Sequence, residues 1–381
     1  MAEVTLLAVG DVVVAAENGD ARFDLVRDIL RGGDICFGQL EAPLSNAGPP
    51  QRQGGPPTQG APKDPVEGAK VLERSGFDVM SFAGNKTMGL SEVSMLETID
   101  AVSAHTRIAL VGAGATLADA RRPAILERNG TKVGFLAYCS VLPHNAWAAE
   151  KVLPDGSVQH RAGVAPLRAH TSYEDVDWQP GCLPRVVTLT NREDLEAMVA
   201  DIGALRAKVD VLVVSIHWGV HFEPGTIAMY QVEAGHAAIE AGADLILGHH
   251  PHKIKGIEFY RGRPILYAMN NFSWTVRGRN GEFIEPGQVD DAQKTFIAKI
   301  VISDNEISRV SVLPCLIENG RLRPEPLSRT DPRSEDILRY LEWVCANNTP
   351  EFPATSKAKR AFPPFASKFH FDGDEIVVTP S

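Results

Sequence analysis

The fold is decided by the run Val209-Asp210-Val211-Leu212-Val213-Val214-Ser215-Ile216-His217-Trp218-Gly219 and its echo, Ala243-Asp244-Leu245-Ile246-Leu247-Gly248-His249-His250-Pro251-His252. Each is a nearly continuous apolar stretch of strand length, the pattern of a strand covered on both faces. Each stops at histidine. Residues 226–241 between them read as a helix, so the unit is strand, helix, strand. In α/β folds, sites form at the carboxyl ends of such strands. A His-x-His pair directly after an apolar strand offers two imidazoles to one centre, and imidazole suits Zn, Mn, Fe and similar metals.

Three upstream segments repeat the arrangement. Thr5–Val9 ends in Gly10-Asp11. Ile35-Cys36-Phe37 leads to Gln39-Leu40-Glu41. Val79–Phe82 leads to Ala83-Gly84-Asn85-Lys86. Singly these are weak: Gly-Asp also suits a turn, and His217 alone could be a core histidine. Their force lies in all five together.

The rest of the chain alternates in the same manner. Helical patterns cover Asp24–Leu30 and the region of Lys70–Leu72. Thr190-Asn191-Arg192-Glu193 reads as a capping box before Leu195, Met198, Val199, Ile202 and Leu205. Asn129-Gly130 joins two apolar runs, a hairpin signal. Arg261-Gly262-Arg263 gives a second. Phe296–Ile302 and Val310–Leu313 read as strands, and Ser334–Cys345 as a helix. Residues 46–64 form a Gly/Pro-rich loop. Residues 142–186 lack periodicity and are expected to form a loop insertion, either a substrate lid or a surface excursion. One domain is expected over 1–330. A helix and tail, 331–381, would pack on it through phenylalanines such as Phe365, Phe369 and Phe371. Alternating units followed by strand-rich segments imply an α/β protein of two packed sheets flanked by helices.

With 381 residues, 44% hydrophobic and 23% charged, the chain can bury a large core. Its net charge of −10 argues against nucleic acid as a partner. A small anionic substrate stays open, because a metal can supply local positive charge. The five cysteines form no CxxC pair and read as buried thiols of a reducing compartment. No stretch approaches the ~20 apolar residues of a membrane helix. The expectation is a cytoplasmic protein with no membrane partner.

The order of these motifs resembles the CapA family of bacterial poly-γ-glutamate capsule-synthesis proteins, a branch of the calcineurin-like metallophosphatase superfamily. The resemblance rests on His217-Trp218-Gly219, Gln231, Gly242-Ala243-Asp244, Gly248 to His252, and Pro264-Ile265-Leu266-Tyr267 ending in Asn271-Phe272. Gly10-Asp11, Leu40-Glu41, Gly112-Ala113-Gly114 and Ala120-Arg121-Arg122-Pro123 also fit. It implies a four-layer α/β/β/α sandwich of two mixed sheets with one or two divalent ions (Mn, Fe or Zn) at one end. By the resemblance, Asp11, Glu41 and His252 hold one ion. Glu41, Asn85, His217 and His250 hold a second, with Glu41 bridging. Asn271 supports them or faces substrate.

The chain also departs from the family pattern. Asn-Asn-His after the third strand is here Gly84-Asn85-Lys86, and a frequent Glu after His-Trp-Gly is His221. Lysine is a poor acid–base group near neutral pH unless desolvated, yet it stabilises negative charge. Two readings follow. One is a metal-dependent hydrolase of a phosphoester, amide or γ-glutamyl-type bond. The other is a scaffold reassigned to epimerase, lyase or isomerase chemistry, working without metal through Lys86, Asp11 and a histidine such as His221. A silent binder of polyanions or peptides is a third. Substrate, a small molecule or peptide of anionic character, is expected to meet Asn271, Trp274, Arg277, Arg279, His144 and Arg161. The two arginines suit a carboxylate or phosphate, and equally a solvated surface.

Overall fold

The computed structural model describes residues 3–14, 19–45, 47, 64–89, 91–143, 145–175, 181, 184–274, 290–318, 322–349 and 363–381. Two mixed sheets dominate it. In the first, β1 (Val4–Val12), β2 (Ile35–Leu40) and β3 (Val79–Ser81) run parallel, followed by Ala109–Val111. On the other side of β1 the strands turn antiparallel, through Lys294–Ser303 and Glu306–Glu318 to a C-terminal hairpin, Ser367–Asp372 and Glu375–Pro380. In the second sheet, β4 (Val211–His217) and β5 (Leu245–His249) are parallel neighbours. Thr131–Cys139 flanks β4, and Arg263–Leu266 flanks β5.

Strand periodicity places the core. Leu6 and Ala8 of β1 join the apolar cluster that includes Phe135 and Ala137 of the second sheet. Leu7 and Val9 face the opposite way, into a cluster with Leu72, Met95 and Val102. These three come from helices Pro65–Ser75 and Glu92–His105. Phe37 of β2 stacks on Phe135 with centroids 5.9 Å apart, so the two sheets meet directly. Helices Arg192–Arg206 and Met229–Glu240 bury Met198, Ile202, Ala234 and Ala238 with the second sheet.

The chain crosses from one sheet to the other at residues 267–271, and this crossing builds the site. It leaves the second sheet after Leu266 and enters the first as β6 (Asn271–Ser273), parallel to β1. On the way Met269 N donates to Gly248 O, and Asp11 N donates to Asn270 O. Neither approach tolerates a side chain. A Cβ on Gly10 would lie 1.9 Å from Asn270 O, and one on Gly248 would lie 2.1 Å from Tyr267 O. Glycine at both strand ends therefore lets the two sheets close on each other.

Both expected hairpins form. Asn129 and Gly130 take φ of 53° and 83°, and Arg261 and Gly262 take 50° and 77°, the left-handed pair of a two-residue turn. Some expectations need correcting. The cap of the 192–206 helix is Asn191, which accepts from Asp194 N at 3.1 Å, while the Thr190 hydroxyl is taken by Glu233. Two adjacent capping residues leave the choice to tertiary partners. Of the Asp24–Leu30 pattern only the part from Arg27 is helical, as the short helix Arg27–Arg31, and a 3-10 turn, Asp20–Phe23, precedes it. Within 142–186 the described residues include two paired segments where an irregular stretch was expected. Ala149–Val152 pairs with Val158–Arg161, and Ala169–Glu174 pairs with Arg185–Thr190. These strands are largely exposed, so no apolar alternation marks them in the sequence. At the C-terminus Phe365 stacks on Tyr267 at 5.2 Å, and the hairpin after it extends the first sheet. Four cysteines, Cys36, Cys139, Cys315 and Cys345, are buried free thiols, whereas Cys182 lies outside the described residues. No described helix is long and apolar enough to cross a membrane.

Candidate metal centre

Register sets which side chains converge. Asp11 on β1 is paired with Gln39 on β2 and with Asn271 on β6. His217 on β4 is paired with His249 on β5. Glu41 follows β2 directly. Asn85 and Lys86 sit on a turn after β3, held by the Thr87 hydroxyl, which accepts from Gly84 N and donates to Phe82 O at 2.7 Å. The turn after β5 places His250 and His252 at φ of 95° and 52°. Such left-handed geometry costs a non-glycine residue on the order of 1 kcal/mol or more and persists only where surroundings enforce it. Here Phe222 N donates to Pro251 O at 2.8 Å, pinning the middle of the turn.

Ligand atoms of Asp11, Glu41 and His217, all buried, lie within 4.8 Å of one another. His217 Nδ1 is 3.7 Å from Glu41 Oε2. Its Nε2 is 3.2 Å from Asn85 Oδ1 and 3.1 Å from His250 Nδ1. His252 Nδ1 is 3.5 Å from Asp11 Oδ2 and 2.7 Å from Asn271 Oδ1. The six residues singled out as ligands thus form one cluster where the two sheets meet.

Both oxygens of Asp11, both of Glu41, and His217 Nδ1 are buried with no hydrogen-bond partner. Four orphaned carboxylate oxygens in a dry interior are costly unless a cation takes them. Carboxylate with imidazole is also a donor set that suits Zn, Mn or Fe. A divalent ion therefore fits these residues.

The electrostatics agree. Burial holds the Glu41 carboxyl well above its usual range, the Asp11 charge adds to this, and Lys86 opposes it. Burial likewise raises Asp11, against the pull of His249. His217 and His250 are driven well below the ordinary histidine range, mainly by burial. His221 is pushed down to about 4 by burial and by Lys86. These imidazoles are neutral at pH 7, the form that binds metal.

The remaining site residues divide. His221 lies over the ligands, its ring 3.8 Å from that of His250 and 5.1 Å from that of His252. Trp274 meets His252 edge-on at 4.7 Å, and Lys86 Nζ lies 5.3 Å over the Trp274 ring. Asn271 orients His252. Arg161 is engaged elsewhere: it donates to Trp147 O at 3.0 Å and its guanidinium covers that ring. His144, Arg277 and Arg279 lie outside the described residues. One residue was missed. His249 is fully buried with Nδ1 3.3 Å from Asp11 Oδ1. It lay in plain view as the last residue of β5, but only the facing of the two sheets reveals its partner.

Comparison with known families matches residues 5–274 to the family described as bacterial capsule synthesis protein PGA_cap. The chain belongs to that family. It is 25% identical to the PGA biosynthesis protein CapA of Bacillus subtilis, over 86% of this chain and 73% of the relative. It is 22% identical to the capsule biosynthesis protein CapA of Bacillus anthracis, over 68% of this chain and 52% of the relative. A probable polyglutamine synthesis accessory protein of Mycobacterium tuberculosis is 30% identical over 53% of this chain and 47% of its own length. Among solved structures, a phosphatase from Mycoplasma pneumoniae aligns with a TM-score of 0.44 at 10% identity, covering 84% of this chain and 96% of its own.

Several PGA_cap motif residues serve the scaffold. Trp218 Nε1 donates to Tyr267 O at 2.8 Å, and Gly219, at φ 92°, packs against the Gln231 amide that caps the next helix. Arg121 pairs with Asp201 at 2.6 Å, and Tyr138 donates to the same carboxylate.

Proposed function

We propose that this PGA_cap protein is a divalent-metal-dependent hydrolase acting on an anionic small molecule or peptide, at a phosphoester, amide or γ-glutamyl-type bond. The observation that carries this reading is the buried cluster of Asp11, Glu41 and His217, whose four carboxylate oxygens accept no well-formed hydrogen bond and have only imidazoles at 3.3–3.7 Å beside them. Asp11, Glu41 and His252 would hold one ion, and Glu41, Asn85, His217 and His250 a second. A metal bound there would supply Lewis acidity and a nucleophile derived from water at neutral pH. The chain's own groups do the rest. Asn271 accepts from His252 and fixes its ring, in the manner of outer partners of metal-bound imidazoles. His221, neutral at pH 7, overlies His250 and His252 and lines the approach to the ligands. Lys86 stabilises negative charge at the rim. The alternative of metal-free epimerase or lyase chemistry is not favoured by the family relatives.

The test is elemental analysis of the purified, desalted protein, followed by assays with p-nitrophenyl phosphate, bis(p-nitrophenyl) phosphate and γ-glutamyl-p-nitroanilide. Near-stoichiometric Mn, Fe or Zn is expected. His250→Ala and His252→Ala should lose both metal and turnover. Turnover that survives chelation, or full metal content in both variants, refutes the proposal.

A further inference from the structure

Described lysines in the interior are paired. Lys253 meets Asp290 at 2.8 Å, Lys294 meets Asp291 at 2.6 Å, and the buried Lys255 donates to the carbonyls of Glu223 and Thr226. Lys86 differs. It is half-buried beside Asn85, and among the described residues its ammonium makes no hydrogen bond or ion pair. Its ammonium rests only on the Trp274 face. An aromatic face attracts a cation but accepts no conventional hydrogen bond, so the three N–H donors stay available. Trp274 is in turn fixed edge-on to His252, which stacks with His221. The free cation is therefore anchored to the metal ligands and not left on a loose arm.

Charge balance gives this placement its meaning. Once a divalent ion neutralises Asp11 and Glu41, the lysine is surplus positive charge at the edge of the centre. We infer that Lys86 and Trp274 form an oxyanion subsite adjoining the metal centre, one that takes a carboxylate or phosphate group of the substrate next to the bond cleaved. The inference rests on the proposed hydrolase reading and narrows it to substrates with a compact fixed anion. Lysine suits such a group as a point charge, whereas a bidentate fork would call for arginine.

The experiment is calorimetric titration of the intact protein with inorganic phosphate and, separately, with glutarate, before and after chelator treatment. Wild type is compared with Lys86→Met and Lys86→Arg, with metal content and circular dichroism measured on every sample. Lys86→Met should weaken the tighter-binding probe by about tenfold or more with fold and metal content unchanged, while Lys86→Arg should stay within about threefold. The probe that loses more affinity identifies phosphate or carboxylate as the source. Unchanged affinity in a folded Lys86→Met, or no binding of either probe by wild type, overturns the inference. If wild type holds no metal but Lys86→Met still loses affinity, the hydrolase reading fails and the subsite stands. If metal is present and affinity does not move, only the subsite falls.

Discussion

Glu41→Gln is the sharpest probe of the centre, because it removes one charge and almost no volume. Asp11 and Glu41 are fully buried, and their ligand atoms lie within 4.8 Å. At an effective dielectric of about 20, two unit charges at that separation repel by 332/(20 × 4.8), about 3.5 kcal/mol. Lys86 offsets part of this, so relief of about 2–3 kcal/mol is expected in metal-free protein at pH 8. At roughly 2 °C per kcal/mol for a chain of this size, the metal-free variant should melt about 5 °C above metal-free wild type. The sign with pH follows from the raised carboxyls. A group held above its unfolded value contributes stability at low pH that is lost as pH rises past that value. The gap between variant and wild type should therefore narrow toward pH 5. Metal should reverse the order: at 1,000 times its Kd, an ion binding only the native state stabilises wild type by about 4 kcal/mol. Glu41→Gln should show little of this shift. Differential scanning fluorimetry at pH 5, 6.5 and 8, with and without Mn or Zn, reads all of it. A metal-free Glu41→Gln that melts below wild type at pH 8, or that keeps the full metal-induced shift, refutes the reasoning.

Three further outcomes are expected. Gly10→Ala puts a methyl 1.9 Å from Asn270 O at the sheet crossing, and should cost about 3 kcal/mol or more, seen as lost soluble yield or an early urea midpoint. Wild-type yield and midpoint would show that the crossing is not tight. Lys255 is buried and pushed down to about 7 by desolvation. The unfolded chain then binds its proton more tightly from pH 7 up to the ordinary lysine range, so stability should rise with pH there. Lys255→Met should flatten that slope in denaturant melts, and an unchanged slope counts against a depressed lysine. Asn191→Ala should cost about 1 kcal/mol through loss of the helix cap, whereas Thr190→Val should instead be felt through Glu233. Equal and negligible effects in thermal melts would contradict the cap assignment.

Much of the candidate site was legible along the chain, for a local reason. A buried strand is written as an apolar run, and the residue that ends it sits at the sheet's edge whatever the sheet does next. Asp11, Glu41, Asn85, His217, His250 and His252 each end or follow such a run, and all six converge. The two hairpins were legible because Asn129-Gly130 and Arg261-Gly262 carry the left-handed preference in their own backbone. The hairpins within 142–186 were not, because exposed strands leave no alternation to read. The Arg161 side chain was expected at the site but spends its donor on Trp147, a choice between two local partners that spacing does not make.

What only the tertiary structure decided is which neighbours each ligand has. Asn271 reaches Asp11 through parallel pairing of strands 260 residues apart, and His249 reaches it only because the second sheet faces the first. Lys86 finds Trp274, not a carboxylate, across 188 residues of chain. Periodicity reflects the few residues around each position, whereas these contacts depend on register and sheet packing. Those are set jointly by the whole core, through close approaches such as Gly10 on Asn270 and Gly248 on Tyr267 that no local pattern encodes.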